Sequence, residues 1–368
     1  MNKLRGYIAP AAPLNWEPMA CDTPDFRCVI GFTCNWFNKR LGIDFSEKYH
    51  RDPVYRYEAV LKMKNHIRKC FPDIAYYKEH DRNGFEQECA TISNMYGVCF
   101  FAMLYGMKPV FSVYNWPAVH PNDHLTVEQI KKLKPFDLKN HPLVEMLIAQ
   151  MDEIEKQWGK IDGYLNCQGL LNNAFKIRGV DIFTDMLEDP GLCKHLFGHI
   201  CDTMLQLLDI IRKRQYNYDL VDSSFVMSHC TVNMISPDDY MEFIYPHDRI
   251  FSWHFKHFGI HSCNWVLDPY IEKFSKINGI CYIDCGFNSN LSKVREGFPE
   301  ARRLVFYNPS FLVKKSREAV NNDIERICRE LGPCDICLAD IEVDIPDNEI
   351  AAFAHYIEGI SSETCSNE

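Results

Sequence analysis

A histidine and a cysteine stand two positions apart in the segment His261-Ser262-Cys263. The residues before them are mostly aromatic and aliphatic, which is typical of a buried β-strand, and Asp268-Pro269 marks a turn soon afterwards. Side chains at positions i and i+2 of a strand point to the same side, so the imidazole and the thiol are expected to project together. These are the ligand types that Zn²⁺ prefers. The spacing therefore predicts part of a zinc site at the end of a strand.

Two later segments offer further ligands. Asp284 follows the apolar run 280–283, and Cys337 lies in the strand-like segment 335–340. The carboxyl ends of parallel strands meet at the same edge of a sheet. We therefore expect His261, Cys263, Asp284 and Cys337 to converge on one metal ion.

Each of these assignments has an alternative that the sequence leaves open. Cys334 or Asp340 replaces Cys337 as the distal ligand if that strand faces differently. Asp284 can instead cap the next helix or bind a substrate group, and it is also a candidate catalytic residue. For any single cysteine, packing in the core is the ordinary role of a small apolar side chain.

Composition narrows the class of protein. Of the 368 residues, 46% are hydrophobic and 24% are charged, and the formal net charge is −10. No run of lysine or arginine suggests binding to nucleic acid, and the apolar runs fall short of the roughly 20 residues needed to span a bilayer. The 17 cysteines are scattered and odd in number, unlike those of a disulfide scaffold. We expect a reduced, cytoplasmic protein that binds neither nucleic acid nor a membrane.

Short β-branched and aromatic runs alternate with helical patterns along the chain. The predicted strands are 28–33, 108–113, 162–167, 220–227, 257–263, 279–285, 303–307 and 335–340, and clear helical patterns cover 142–158, 190–215, 237–254 and 315–331. About eight such strands predict an α/β fold, a (β/α)8 TIM-type barrel. We expect residues 1–368 to form one barrel domain, in which 1 to about 106 include a helical N-terminal extension around the first strand.

Function in such a barrel gathers at the carboxyl ends of the strands. The residues predicted there are mostly amides and aromatics: Asn35, Trp36, Asn115, Trp116, Asn166, Gln168 and Tyr307. They suit a neutral or weakly polar small molecule, although the two tryptophans can equally be packing residues. His229 follows the fourth strand and is the candidate general acid or base. Alternatively, His229 or its neighbour Cys230 supplies a zinc ligand.

The second half of the chain, about residues 160–360, resembles the uroporphyrinogen decarboxylase superfamily. The segments that carry the resemblance are 235–246, 259–263, 280–284 and 346–350, in this order. A His-x-Cys followed by a distant cysteine is similar to the zinc-dependent corrinoid methyltransferases within that superfamily. The resemblance implies a barrel with zinc held by His261, Cys263 and Cys337, and with Asp284 as an acidic fourth ligand.

The same resemblance implies a reaction and partners. A methyl group is expected to move between a small O-, S- or N-methylated substrate and the cobalt of a corrinoid-binding protein, or in reverse to a thiol or pterin acceptor. We assign Asn166, Gln168 and Tyr307 to the corrinoid, and Asn35, Trp36, Asn115 and Trp116 to the substrate. Two alternatives are a metal-free porphyrinogen-type decarboxylase, whose arginine signature is absent here, and a non-catalytic barrel that binds a corrinoid or small ligand.

Overall fold

A parallel β-sheet is the centre of the molecule. The computed structural model describes residues 26–74, 89–161, 163–215 and 224–366. Within these residues, six strands form one sheet in the order β1-β8-β7-β6-β5-β4, and every adjacent pair is parallel. These strands are β1 Arg27–Phe32, β4 Ser224–Ser228, β5 His257–His261, β6 Ile280–Gly286, β7 Arg302–Phe306 and β8 Cys334–Ile341. The fold is therefore α/β, as predicted.

Helices lie between the strands along most of the chain. They are α1 Cys34–Leu41, α2 Glu47–Arg51, α3 Pro53–Cys70, α4 Phe100–Met103, α5 Val127–Lys131, α6 Pro142–Trp158, α7 Leu170–Arg178, α8 Asp181–Glu188, α9 Pro190–Arg214, α10 Pro237–Asp239, α11 Tyr245–His254, α12 Ile271–Phe274, α13 Leu291–Gly297, α14 Phe311–Lys314, α15 Arg317–Leu331 and α16 Asp347–Ser366. A π-helical turn, Tyr240–Ile244, joins α10 to α11. In the described part of the chain, no helix has the length and apolarity to cross a bilayer.

The sheet separates a large apolar core from a small one. The large core contains the helices and the strand residues that face them. The small core consists of side chains from the opposite face, namely Val29, Val226, Tyr282, Leu304, Phe306 and Cys337. Burial on both faces is what makes strands of parallel sheets read as nearly continuous apolar runs.

Most of the predicted elements are confirmed. The six strands of the sheet match predicted strands within a few residues, although 220–223 lie outside the described residues. The four predicted helices are present, and the one over 237–254 is interrupted by the π-helical turn. Pro237 begins its helix after Ser236, whose side chain accepts a hydrogen bond from the backbone of Asp239.

Two predicted strands are wrong. Of 108–113, only Pro109–Val110 (β2) is extended, and it pairs antiparallel with Ala118–Val119 (β3) in a separate ribbon. No strand is present in 163–167, and residue 162 lies outside the described residues. Gly163 there has φ +111, outside the range of a regular strand. The apolar residues of 163–167 pack into the core, with Leu165 and Cys167 buried, whereas Val110 and Val113 of the other segment are exposed.

The N-terminal extension is described in part. Helices α1 to α4 fall within the first 106 residues, whereas 1–25 and 75–88 lie outside the described residues. The bidentate ion pair of Arg40 with Asp347, with both N–O distances 2.7 Å, ties α1 to the start of the last helix. The single-domain boundary stays a prediction.

Candidate metal centre

Three potential metal ligands meet where β4 and β5 end. Cys230 follows β4, His261 is the last residue of β5, and Cys263 follows it in the next loop. One ligand atom from each side chain lies within 4.8 Å of the others. His261 is buried, and both cysteines are half-buried. Two thiols and an imidazole at this spacing form a donor set that suits zinc.

Asp284 on β6 orients this group without being part of it. Its Oδ2 atom lies 2.6 Å from His261 Nδ1 and accepts a hydrogen bond from the Tyr282 hydroxyl at 2.7 Å. Its Oδ1 atom accepts from the backbone N–H groups of Ser262 at 2.6 Å and Cys263 at 3.0 Å. Both oxygens are therefore occupied, and with Nδ1 held by the carboxylate the Nε2 atom is left to bind a metal. The structure places Asp284 behind the histidine rather than among the ligands.

The backbone at Cys263 is specialised for this arrangement. Cys263 has φ +67, a left-handed conformation that is uncommon for a residue with a side chain. The turn brings its N–H onto Asp284 while the side chain stays near Cys230. Strain of this kind often marks a functional site.

Helix α7 supplies the polar side chains next to Cys230. Asn172 hydrogen-bonds to the Cys230 side chain, and its Oδ1 accepts from the backbone N–H and hydroxyl of Thr231 at 3.1 and 2.6 Å. The amide of Asn172 donates to Gln168 Oε1 at 2.9 Å, and Lys176 Nζ donates to the same oxygen at 3.3 Å. Residues 172 and 176 share one face of the helix because they are one turn apart. Hydrogen bonds that start at Gln168, just before α7, therefore hold Cys230 in place through Asn172.

The proximity of the two thiols changes their acidity. The hydrogen bond between them lowers the pKa of Cys230, with help from Asn172 and the charge of Lys176, against burial and the charge of Asp284. The same hydrogen bond, together with burial, raises the pKa of Cys263. Cys230 is therefore the more acidic of the two thiols, and a divalent cation would stabilise both sulfurs as thiolates.

Asp284 favours the protonated form of His261. Burial favours the neutral ring, but the charge and hydrogen bond of Asp284, with a contribution from Cys263, outweigh it and raise the pKa of His261 to about 10. A proton on the imidazole would take the place of a metal ion.

The predicted distal ligand, Cys337, does not join the group. It lies inside β8, level with Val29 and Phe306, where its side chain is completely buried in the small apolar core. Cys334 is buried at the start of the same strand, far below the end at which the other ligands meet. Asp340 is exposed near the end of β8, where it feels the charge of His261. Cys337 faces the same interior as the metal group but lies further back along its strand, and Asp340 is the candidate nearest the strand end.

His229 is not placed as an acid or base for a bound molecule. Its ring is fully buried, its Nε2 lies 2.8 Å from Asp248 Oδ2, and that oxygen also accepts from the Tyr240 hydroxyl at 2.7 Å. Its backbone N–H donates to the carbonyl of His261 at 2.6 Å. The ring contacts Tyr240 and Phe274, so the side chain faces the helices. His229 therefore braces the peptide that carries Cys230.

The residues predicted to bind the corrinoid are divided. Gln168 lies in the network beside Cys230, and its side chain donates to Asn166 Oδ1 at 3.1 Å. Tyr307 faces the helices instead, where its hydroxyl donates to Asp323 at 2.6 Å and its ring stacks on Phe353 at 5.4 Å. Tyr307 is one residue past β7 and on its outer side, apart from the network beside Cys230.

The four residues predicted to bind substrate are spread over two parts of the fold, the helix α1 and the connection between β2 and β3. Asn35 donates to Glu342 at 2.8 Å, beyond the end of β8. Trp36 is fully buried against Phe32, with ring centroids 4.1 Å apart. Asn115 is exposed and Trp116 packs on Phe45, with ring centroids 5.7 Å apart, in the connection between β2 and β3. The tryptophans are therefore packing residues.

Three residues of this site have only weak signals in the sequence. The sequence offers Cys230 as an alternative ligand, and it does not single out Asn172 or Lys176. A signal was present, because Cys230 follows its strand just as Cys263 follows His261. Asn172 and Lys176 have the i, i+4 spacing of one helical face.

Comparison with solved structures identifies a similar fold. A methyltransferase from Methanosarcina mazei matches with a TM-score of 0.60 at 12% sequence identity, covering 92% of this chain and 94% of that chain. A match of this kind shows that the overall fold is shared across nearly the whole length of both proteins. No family model and no curated protein sequence matches the chain.

Proposed function

We propose that this protein is a zinc-dependent methyltransferase that exchanges a methyl group between a small methylated substrate and the cobalt of a corrinoid carrier protein. The observation that carries the proposal is the convergence of Cys230, His261 and Cys263 within 4.8 Å. The methyltransferase fold shared with the Methanosarcina mazei protein favours methyl transfer over other chemistry on this scaffold.

The donor set fits zinc in a catalytic rather than a purely structural site. Three protein ligands leave the fourth tetrahedral position for a substrate atom, whereas structural zinc sites use four protein ligands. Asp284 fits the usual carboxylate partner of a zinc-bound histidine, since it holds Nδ1 and leaves Nε2 for the metal. When bound, zinc would act as a Lewis acid and stabilise negative charge on the heteroatom that loses or gains the methyl group.

The remaining work falls to the protein's own side chains. Asp284 sets the direction of the imidazole and fixes the loop at Cys263 through two backbone hydrogen bonds. Asn172 fixes Cys230, and Gln168 links Asn172 to Lys176. A site held rigidly in advance does not need to reorganise when charge develops on the substrate.

We also propose that the sheet closes into the predicted barrel. Tyr164 donates its backbone N–H to the side chain of Ser93 at 2.9 Å, and Gly169 packs directly on the carbonyl of Ser228 in β4. Segments 91–93 and 163–169 therefore occupy the side of the sheet next to β4, where the second and third strands of a barrel belong. The corrinoid carrier would approach the open end at which the ligands meet.

Metal analysis of purified variants tests the ligand set. The wild type is expected to hold about one zinc ion per chain, and Cys230→Ala, His261→Ala and Cys263→Ala are expected to lose most of it. Cys337→Ala is the control, because it removes a fully buried thiol that lies outside the group. If Cys230→Ala keeps its zinc and Cys337→Ala loses it, then Cys337 is the third ligand, as predicted from the sequence, and Cys230 is not.

Turnover tests the reaction itself. The wild type is expected to convert cob(I)alamin to methylcob(III)alamin, followed by absorbance, with at least one member of a panel of methyl ethers, thioethers and methylamines. The zinc-depleted variants are expected to be inactive, and Cys337→Ala to stay active when folded. A zinc-loaded protein that methylates no cobalamin and demethylates no methylcobalamin would contradict the methyltransferase assignment.

A further inference from the structure

Lys176 belongs to the hydrogen-bond network that holds Cys230. It lies on α7, half-buried, and donates to Gln168 Oε1 at 3.3 Å. In the described part of the chain, no carboxylate lies within ion-pair distance of it. Burial lowers the pKa of Lys176, and the thiols of Cys99 and Cys230 oppose that shift.

The charge balance of the site gives this lysine a role. Two thiolates cancel the charge of a divalent ion, and a neutral imidazole adds none. The buried carboxylate of Asp284, which is hydrogen-bonded to the imidazole, leaves the group with one negative charge. An anionic fourth ligand would make the group more negative, which is unfavourable in a partly buried site. A neighbouring ammonium group offsets that cost.

We propose that Lys176 is a specificity-determining residue that favours substrates whose heteroatom binds the metal as an anion, a thiolate or an alkoxide, over amines, which bind neutral. The inference rests on the metal site proposed above. It also disfavours quaternary ammonium methyl donors, because their positive charge would approach the lysine. Their leaving group is a neutral amine, which gains little from a nearby cation.

Small exogenous ligands of the open metal position test this without knowledge of the natural substrate. The protein is loaded with Co²⁺, and azide, an anion, and imidazole, a neutral donor, are titrated separately at constant ionic strength. Binding is followed through the visible spectrum of the cobalt. In Lys176→Met the dissociation constant of azide is expected to rise about tenfold, while that of imidazole changes by less than about twofold.

Two further variants serve as controls. Lys176→Arg keeps the charge and is expected to bind azide within about threefold of the wild type. Lys256→Met removes an exposed lysine just before β5, at the opposite end of that strand from His261. This variant is expected to leave the dissociation constants of azide and imidazole unchanged. Lys176→Gln is a second neutral variant. The cobalt spectrum before titration shows whether the thiolates of each variant still bind the metal.

The outcomes separate this inference from the proposed function. If the binding of azide and the binding of imidazole weaken equally in Lys176→Met, the specificity role is wrong while the metal site stands. The same holds if azide binds as tightly as in the wild type. Loss of the cobalt–thiolate spectrum in both neutral variants would also overturn it, since Lys176 would then build the site. If the wild type binds Co²⁺ without a thiolate spectrum, both the metal site and this inference fail.

Discussion

At the scale of single residues, the central feature is that some side chains offer donor atoms to a metal and others hold those side chains in place. Cys230, His261 and Cys263 offer the donor atoms, and Asp284 uses both oxygens to hold two of these residues in place. Substitution of a carboxylate that only orients a ligand weakens metal binding, whereas substitution of a carboxylate that is itself a ligand removes a bond to the metal. This distinction leads to the first prediction.

Asp284→Asn is expected to weaken zinc binding by about 10- to 100-fold without removing a ligand, because the amide no longer accepts a charge-assisted hydrogen bond from the imidazole. Competition with a chromophoric chelator measures the affinity. Asp323→Asn is the matched control, since Asp323 also accepts a hydrogen bond from a tyrosine, Tyr307 at 2.6 Å, but lies away from the metal group. Complete loss of zinc from Asp284→Asn, with the fold intact, would instead make Asp284 a direct ligand.

A second residue-level prediction concerns pH. In the metal-free protein the pKa of His261 is raised to about 10 despite burial, because the charge and hydrogen bond of Asp284 favour the proton. The unfolded value is about 6.5. The folded state thus binds this proton more tightly, so the stabilisation is complete below about pH 6.5 and is lost as the pH rises towards 10.

Urea unfolding of chelator-treated protein across this range checks that prediction. The wild type is expected to lose free energy of unfolding more steeply with rising pH than His261→Gln, which lacks the titrating ring. Zinc-loaded wild type is expected to lack this component, because the metal replaces the proton. Parallel pH profiles for the metal-free wild type and His261→Gln would show that the histidine does not contribute.

At the scale of elements, segment 163–169 is what brings α7 to the end of β4. A Cβ atom added at Gly169 would lie 2.1 Å from the carbonyl oxygen of Ser228, so a larger residue must push the segment away from the strand. Because α7 begins at the next residue and carries Asn172 and Lys176, such a shift disturbs the surroundings of Cys230.

Gly169→Ala is therefore expected to lower the free energy of unfolding by about 2 kcal/mol and to weaken zinc binding. Chemical denaturation and metal competition measure the two effects. Gly198→Ala in α9 is the control, because nothing lies within 4 Å of its added Cβ atom. That variant is expected to gain up to about 1 kcal/mol from helix propensity. Equal behaviour of the two variants would remove the proposed role of the segment.

The elements also show what the sequence can and cannot predict. The strands β5 to β8 are predictable because apolar runs bounded by turn residues are local signals. His261 and Cys263 do lie together, but through a left-handed turn after β5 rather than through the alternation of a strand. Which cysteine joins His261 and Cys263 depends on how far along its own strand each candidate lies. Cys230 and Cys263 lie beyond the last residues of their strands, whereas Cys337 lies inside β8. Such relative heights are set by strand register, which a single sequence does not reveal.

The predictions of the second and third strands are wrong for a related reason. Segment 108–113 has the residue types of a strand, but β2 pairs with β3 in its own ribbon. Tyr307 and His229 follow the ends of strands, as predicted, yet their side chains face the helices. A one-residue difference in position moves a side chain to the other face, so the prediction of a strand end does not fix the direction of each residue there.

At the scale of the whole molecule, metal binding and folding are linked. The ligands come from the ends of two neighbouring strands, and their support comes from a third strand and from α7. A metal that binds only the folded arrangement stabilises it in proportion to the logarithm of metal concentration over the dissociation constant. Removal of zinc by a chelator is therefore expected to lower the midpoint of thermal unfolding. Cys230→Ala is expected to show little further change on chelation.

Zinc K-edge X-ray absorption on wild type, Cys230→Ala and Cys337→Ala tests the central claim most directly. The wild type is expected to show sulfur at about 2.3 Å together with nitrogen at about 2.0 Å. The sulfur contribution should fall in Cys230→Ala, if that variant is reloaded with zinc, and stay unchanged in Cys337→Ala. A wild-type spectrum with only nitrogen and oxygen neighbours, or a sulfur shell that Cys230→Ala leaves intact, would contradict the proposed centre.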